Sequence, residues 1–224
     1  MISQEHLLIL AISYSLLFLL LFVVSKMKCD DPVSERVVNG NWLLLHIRHA
    51  AGAFILAILP YPILADLQEK VFSWHCPGTL RVSTFIVTGI LLTGPIIAGS
   101  SAINAPAMPW SRYSAIHTSI HLLLRTIFVG CYEWFFRGMV LFSCLASFGA
   151  VTAIIINLVL TSLIHLCHGR KEFSGSILFG LILCLFSIWW QSVWPAVLLH
   201  LLLCTSHEFY LLTAFPRKKE TIIA

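Results

Sequence analysis

Charge is what this chain has least of. Asp, Glu, Lys and Arg make up 11% of its 224 residues, against about 25% in a soluble domain. So few charges cannot coat a globular surface in water. No basic stretch is interleaved with aromatics, which leaves no footprint for DNA or RNA. Internal repeats, Gly/Ser linkers and low-complexity segments are also missing, so nothing argues for a repeat array or a tethered second domain. The seven Cys are an odd number without a CxxC pair, and five of them (Cys131, Cys144, Cys167, Cys184, Cys204) fall in apolar segments. Cys29 and Cys76 lie in connectors that the topology below puts on opposite sides of a membrane. A disulfide framework is therefore not expected.

Apolar sequence is what the chain has in excess. It is 58% hydrophobic with a mean hydropathy of +0.90, which reads as an integral membrane protein made of helices. The apolar runs are His6–Lys26, Leu44–Ala65, Val82–Ser100, Thr118–Leu145, Val151–Cys167, Gly175–Trp190 and Trp194–Thr213. A bilayer core takes about 20 residues per helix, so the expectation is an all-α bundle of about seven transmembrane helices. The first run is too long for a signal-peptide core and lacks a small-x-small cleavage site, so it reads as a retained helix. Residues 1–224 form one integral membrane domain: three N-terminal helices over 1–117, a core over 118–213 and a cytoplasmic tail over 214–224. The first three helices carry few polar groups and are expected to pack and enclose. Short connectors make the fourth and fifth helices, and the sixth and seventh, antiparallel neighbours. Ser174-Gly175-Ser176 and Gly180 give the sixth helix small residues for close approach, read here as packing.

Lys and Arg set the orientation. With Arg217-Lys218-Lys219 inside, ten of these residues face the inside and two, Lys70 and Arg81, the outside. Arg125 and Arg137 lie within the membrane. The expected topology is N-terminus out and C-terminus in the cytoplasm. The net charge of +4 then reflects loops and tail facing anionic lipid. A bacterial cytoplasmic (inner) membrane is the expected location.

Against this apolar background the buried polar residues stand out. In Gly130-Cys131-Tyr132-Glu133-Trp134-Phe135-Phe136-Arg137-Gly138, a Glu and an Arg lie one helical turn apart. Each charge costs about 2.5–3.5 kcal/mol at the centre of a bilayer, so the pair neutralises itself, does chemistry, or both. His117, His121, Arg125 and Tyr132 share one face of the same helix, and Glu133 and Arg137 the adjoining one. A helix that polar lines a wet cavity or lies buried in the bundle. Asn157, Thr161, His165 and His168 form one stripe on the fifth helix, with His168 at the membrane edge. His200, Cys204 and His207 share a face of the seventh. These three resemble a metal-ligand set, but their span of about 10 Å is too long for one Zn²⁺ without partners from other helices.

Hydrolysis inside a membrane needs held water, a base and stabilisation of an oxyanion. Glu133, His165 and His200, on three helices, are the residues that can supply them. No serine elbow, rhomboid-like GxSx, HExxH or membrane-aspartyl pair is present. A rise of about 1.5 Å per residue puts Glu133 and His200 in the outer half of the membrane and His165 nearer the inside. A shared site therefore needs shifted helix edges, tilt or broken helices.

These residues resemble the motifs of the CPBP intramembrane proteases, the CAAX-processing and bacteriocin-processing (Abi-type) enzymes that include the prenyl-protein endopeptidases. Their first motif, Glu-Glu-x3-Arg, stands here as Tyr132-Glu133-x3-Arg137 before Gly138. Their Phe-x3-His stands as Thr161-x3-His165, and their His-x3-Asn as His200-x3-Cys204. The order and the spacings of about 28 and about 35 residues fit over Thr118–Thr213. The resemblance implies water-activated peptide hydrolysis of a membrane-associated protein or peptide. Glu133 is then the base, His165 and His200 bind water or the oxyanion, and Arg137 orients Glu133. A Zn²⁺ held by His165 and His200 is the metal that many members' description as metalloproteases would imply. Tyr132 stands where the first Glu is expected and becomes a candidate O–H donor to the oxyanion. Cys204 replaces the Asn that the resemblance assigns to the oxyanion. Two alternatives stay open: a catalytically inactive scaffold or binding protein of the same fold, and a haem or quinone protein using the helical His residues.

Overall fold

The computed structural model describes residues 4–26, 42–61, 78–99, 115–166 and 170–213. Most residues of the longer expected connectors, the C-terminal tail, His168 and the side chain of His117 lie outside the described residues. Among the described residues the chain is entirely helical: α1 (Gln4–Lys26), α2 (Trp42–Ala57), α3 (Thr79–Gly99), α4 (Ala115–Glu133), a π-helical turn (Trp134–Val140), α5 (Leu141–Phe148), α6 (Ala150–Leu166), α7 (Arg170–Trp190) and α8 (Trp194–Thr213). The segment from α4 through the π turn to α5 is one continuous helix, so the described residues make seven helical spans. It is a helical membrane bundle. Three stretches, Gln4–Val24, Ser119–Phe148 and Phe173–Trp190, are long and apolar enough to cross a bilayer, and four further apolar helices are shorter.

Side chains turned outward are those that hydrocarbon accepts. Leu43, Leu91, Ile116 and Val151 are each more than 60% exposed, which in water would be an aggregating surface and in lipid is the favourable one. The inside is mixed. Leu17, Leu56, Phe135, Phe136 and Leu141 are fully buried together with Glu133, Asn157 and Ser187.

Local sequence sets the joints. Gly149 stops the long helix at φ +79°, a conformation that costs other residues a Cβ clash. Its N–H closes onto Leu145 O at 3.3 Å, and α6 starts one residue later, packed back on α5. Between α7 and α8 the Ser192 N–H reaches Ser187 O at 3.0 Å, and Ser192 Oγ accepts from the Trp194 N–H at 3.3 Å. Pro195 follows in the first turn of α8, where a helix can spare an N–H. Both hairpins are antiparallel, as their short connectors require. Arg170 and Lys171, expected in a connector, instead form the first turn of α7.

The N-terminal helices enclose the rest. The Tyr14 hydroxyl of α1 donates to Leu160 O at 3.1 Å, and its ring meets Phe136 edge-on at 6.4 Å. α2 presses on α4 where Gly52 faces Phe128, with no room for a Cβ; α3 packs on α8. One part of α2 is more polar than expected. His46 and His49 face His121 of α4, with ring centroids 6.4 and 5.5 Å away.

Candidate active site

The site begins at the π turn. A helix that widens to i→i+5 bonding for one turn shifts the angular position of everything after it. Here the Leu141 N–H bonds to Phe136 O, and Phe136 O also accepts Asn157 Nδ2 of α6 at 2.6 Å. The turn carries Arg137, and Glu133 closes the α-helical part just before it. Arg137 Nε lies 3.3 Å from Glu133 Oε2, and Nη1 donates to Oε1 at 3.4 Å. Glu133 is 0% exposed and Arg137 2%.

The third member comes from α8. His200 Nδ1 is 2.5 Å from Glu133 Oε1, a charge-assisted contact of the short kind. Two aromatic rings hold the imidazole edge-on: Phe179 at 5.3 Å and Tyr132 at 6.0 Å, with interplanar angles of 80° and 85°. His165 of α6 also meets the Tyr132 ring edge-on, with centroids 6.4 Å apart. Tyr132 is thus in ring contact with both imidazoles, and its buried hydroxyl lies beside the Arg137 guanidinium.

A cavity of about 250 Å³ opens in the middle of this cluster. Tyr132, Glu133, Arg137, His165 and His200 form its polar wall, with Thr161 next to His165. Phe179, Leu183 and Leu203 form the apolar wall, and Gly175 and Ser176 complete the lining. The depth mismatch expected between His165 and the other two residues is resolved: all three border one space. Chemically, this is a carboxylate pinned by a guanidinium and sharing a short contact with an imidazole. A second imidazole and a phenol border the same space, which is large enough for several waters.

Two expectations need correction. Cys204 does not line this cavity. It turns toward Arg125, Thr126 and Leu122 of α4 in a smaller space of about 10 Å³, although it stays beside His200. Gly175 and Ser176, read as packing residues, are cavity wall. Gly180 does pack, and a Cβ there would meet Leu158 Cδ2 at 3.0 Å and Arg137 Nη2 at 3.2 Å.

The residues do not fit the expected Zn²⁺. Among the described residues no three His, Cys, Asp or Glu side chains are grouped to hold a metal ion. Glu133 is engaged by Arg137 and His200, which leaves His165 and His200 short of the three protein ligands that catalytic zinc takes. Nor does the cavity suit a haem. It is smaller than the about 300–1,000 Å³ usual for cofactor pockets.

Comparison with known proteins agrees with the motif reading. Residues 115–205 match the family described as type II CAAX prenyl endopeptidase Rce1-like. Over those residues the chain is similar to that family. The match begins where α4 begins and runs into α8, so it contains each polar residue of the cavity wall and excludes α1–α3. With its apolar helices the chain is an integral membrane protein, one segment of which is similar to CAAX prenyl endopeptidases. No curated protein and no solved structure matches the chain.

Sequence reasoning missed Phe179, Leu183 and Leu203, because apolar residues on apolar helices carry no mark of what they face. It read Asn157 only as a member of a stripe. Its bond to Phe136 O is the detail that ties α6 to the π turn.

Proposed function

We propose that the protein is an intramembrane endopeptidase that hydrolyses a peptide bond of a membrane-associated protein or peptide, of the CAAX-processing kind. The observation that carries this reading is the Glu133–His200 contact at 2.5 Å on the wall of a cavity shared with His165 and Arg137. Water in that cavity gives its proton to the Glu133–His200 pair as its oxygen attacks the scissile carbonyl. The oxyanion that forms is stabilised by donors on the cavity wall, from Arg137, the Tyr132 hydroxyl and His165; such preorganised donors are worth most in a dry site. The pair then returns the proton to the leaving amide nitrogen, and the C–N bond breaks. Arg137 holds the Glu133 carboxylate while its proton inventory changes. The apolar wall of Phe179, Leu183 and Leu203 suits apolar substrate side chains. The single domain over 1–224 and the cytoplasmic C-terminus belong to the same reading, and place α1–α3 as enclosure around the core.

The test is cleavage of a membrane-anchored reporter peptide by purified protein in liposomes. Wild-type protein is expected to cut, and Glu133→Ala and His165→Ala proteins that elute and melt as folded bundles are expected not to. Undiminished cleavage by both variants would remove Glu133 and His165 from the chemistry; no cleavage by wild type of either prenylated or unprenylated reporters would leave an inactive scaffold of the same fold.

A further inference from the structure

We infer that Asn157 is a positioning residue for the reaction: its side-chain amide holds the π turn open and thereby sets Arg137 against Glu133. This rests on the reading of the cavity as a peptidase site. Asn157 is 0% exposed and does not line the cavity, so a role in touching substrate is not available to it. What it touches is backbone. Nδ2 donates to Phe136 O at 2.6 Å, the carbonyl that also accepts the i+5 N–H of Leu141. Oδ1 accepts the Cys184 thiol of α7 at 3.4 Å. One side chain therefore bridges three spans at the point where the long helix is widest.

The physical argument is one of satisfaction. A π turn costs a helix its regular i→i+4 ladder, and a polar backbone group left without a full partner in hydrocarbon is expensive. A second donor on Phe136 O stabilises the wide turn over a regular α-helical one. A regular turn would rotate Arg137 relative to Glu133. Gly180 completes the arrangement, because its missing Cβ leaves the space that Arg137 Nη2 occupies at 3.2 Å.

The test uses full-length protein in liposomes carrying Asn157→Leu, which keeps the bulk but loses the amide, and Asn157→Ser, which is too short to reach Phe136 O. Each is made alone and with Arg137→Lys. In the wild-type background kcat is expected to fall about 10–100-fold, the loss a misplacement of about 1 Å brings, with KM changed little. In the Arg137→Lys background the same substitutions are expected to cost a few-fold at most. Amide exchange over residues 134–140 is expected to quicken in both variants while residues 120–130 stay protected. This second readout needs no activity: were wild type unable to cut any reporter, the peptidase reading would fall and exchange would still decide the role of Asn157. Unchanged exchange over the π turn, or losses in kcat that multiply in full with Arg137→Lys, would overturn the inference.

Discussion

Removing the guanidinium from Arg137 should be among the costliest single changes in the protein. Arg137→Met keeps the length and apolar stem of the side chain and deletes only its charge. Glu133 is then a fully buried carboxylate that has lost partners at 3.3 and 3.4 Å and keeps His200 at 2.5 Å. Breaking a buried pair costs about 3–5 kcal/mol. His200 still offers partial compensation, so about 3 kcal/mol is expected. For a chain of this length that is a fall in Tm of about 6–12 °C. Neutralising the orphan in Glu133→Gln/Arg137→Met should recover most of that loss, because no uncompensated charge remains. The assay is thermal unfolding in detergent, followed by tryptophan fluorescence, for the single variants and the double. A fall under about 1 kcal/mol for Arg137→Met, as for an exposed ion pair, would refute the reasoning. So would a double variant less stable than either single.

Other substitutions separate packing from chemistry. Gly180→Ala should lower cleavage about tenfold with little loss of stability, since the new Cβ presses on Arg137 Nη2 and Leu158 at a point where small displacements are amplified; kinetics with a melting curve check it. Tyr14→Phe removes a hydroxyl bonded to Leu160 O from a residue outside the cavity wall and keeps the ring against Phe136, so about 1 kcal/mol of stability should go and kcat should stay. Cys204→Ala should slow reporter cleavage a few-fold and leave KM unchanged, because the thiol lies outside the cavity beside Arg125 but also touches His200; a complete loss of activity would return Cys204 to the oxyanion role its position in the motif implies.

Much of the site was legible because membranes make polar residues conspicuous. Glu133 and Arg137 in an apolar run, and His165 and His200 on two further helices, stand out by cost alone, and the motif order ties them together. Orientation around the helix was less legible. Cys204 lies one turn from His200 and beside it, yet only His200 reaches the cavity, since a cavity is narrower than a helical face. The π turn was invisible, because one widened turn changes neither composition nor hydropathy. The polar cluster of His46, His49 and His121 was missed for a similar reason. α2 reads as enclosure by its apolar average, while its two imidazoles find their partner on a helix far away in sequence. Fold class needed only the lengths of the apolar runs; helix edges such as Arg170–Lys171 needed the coordinates, because basic residues suit a helical first turn and a loop equally at a membrane surface.

The central claim is that Glu133 and His200 act as one proton-handling unit. A kinetic double-mutant cycle tests it most directly: kcat for cleavage of the anchored reporter by Glu133→Gln, His200→Gln and the combined variant, each verified as folded. For groups that act together the losses do not add, so the combined variant should be no slower than the worse single variant. Losses that multiply, or a His200→Gln protein as fast as wild type, would contradict the account.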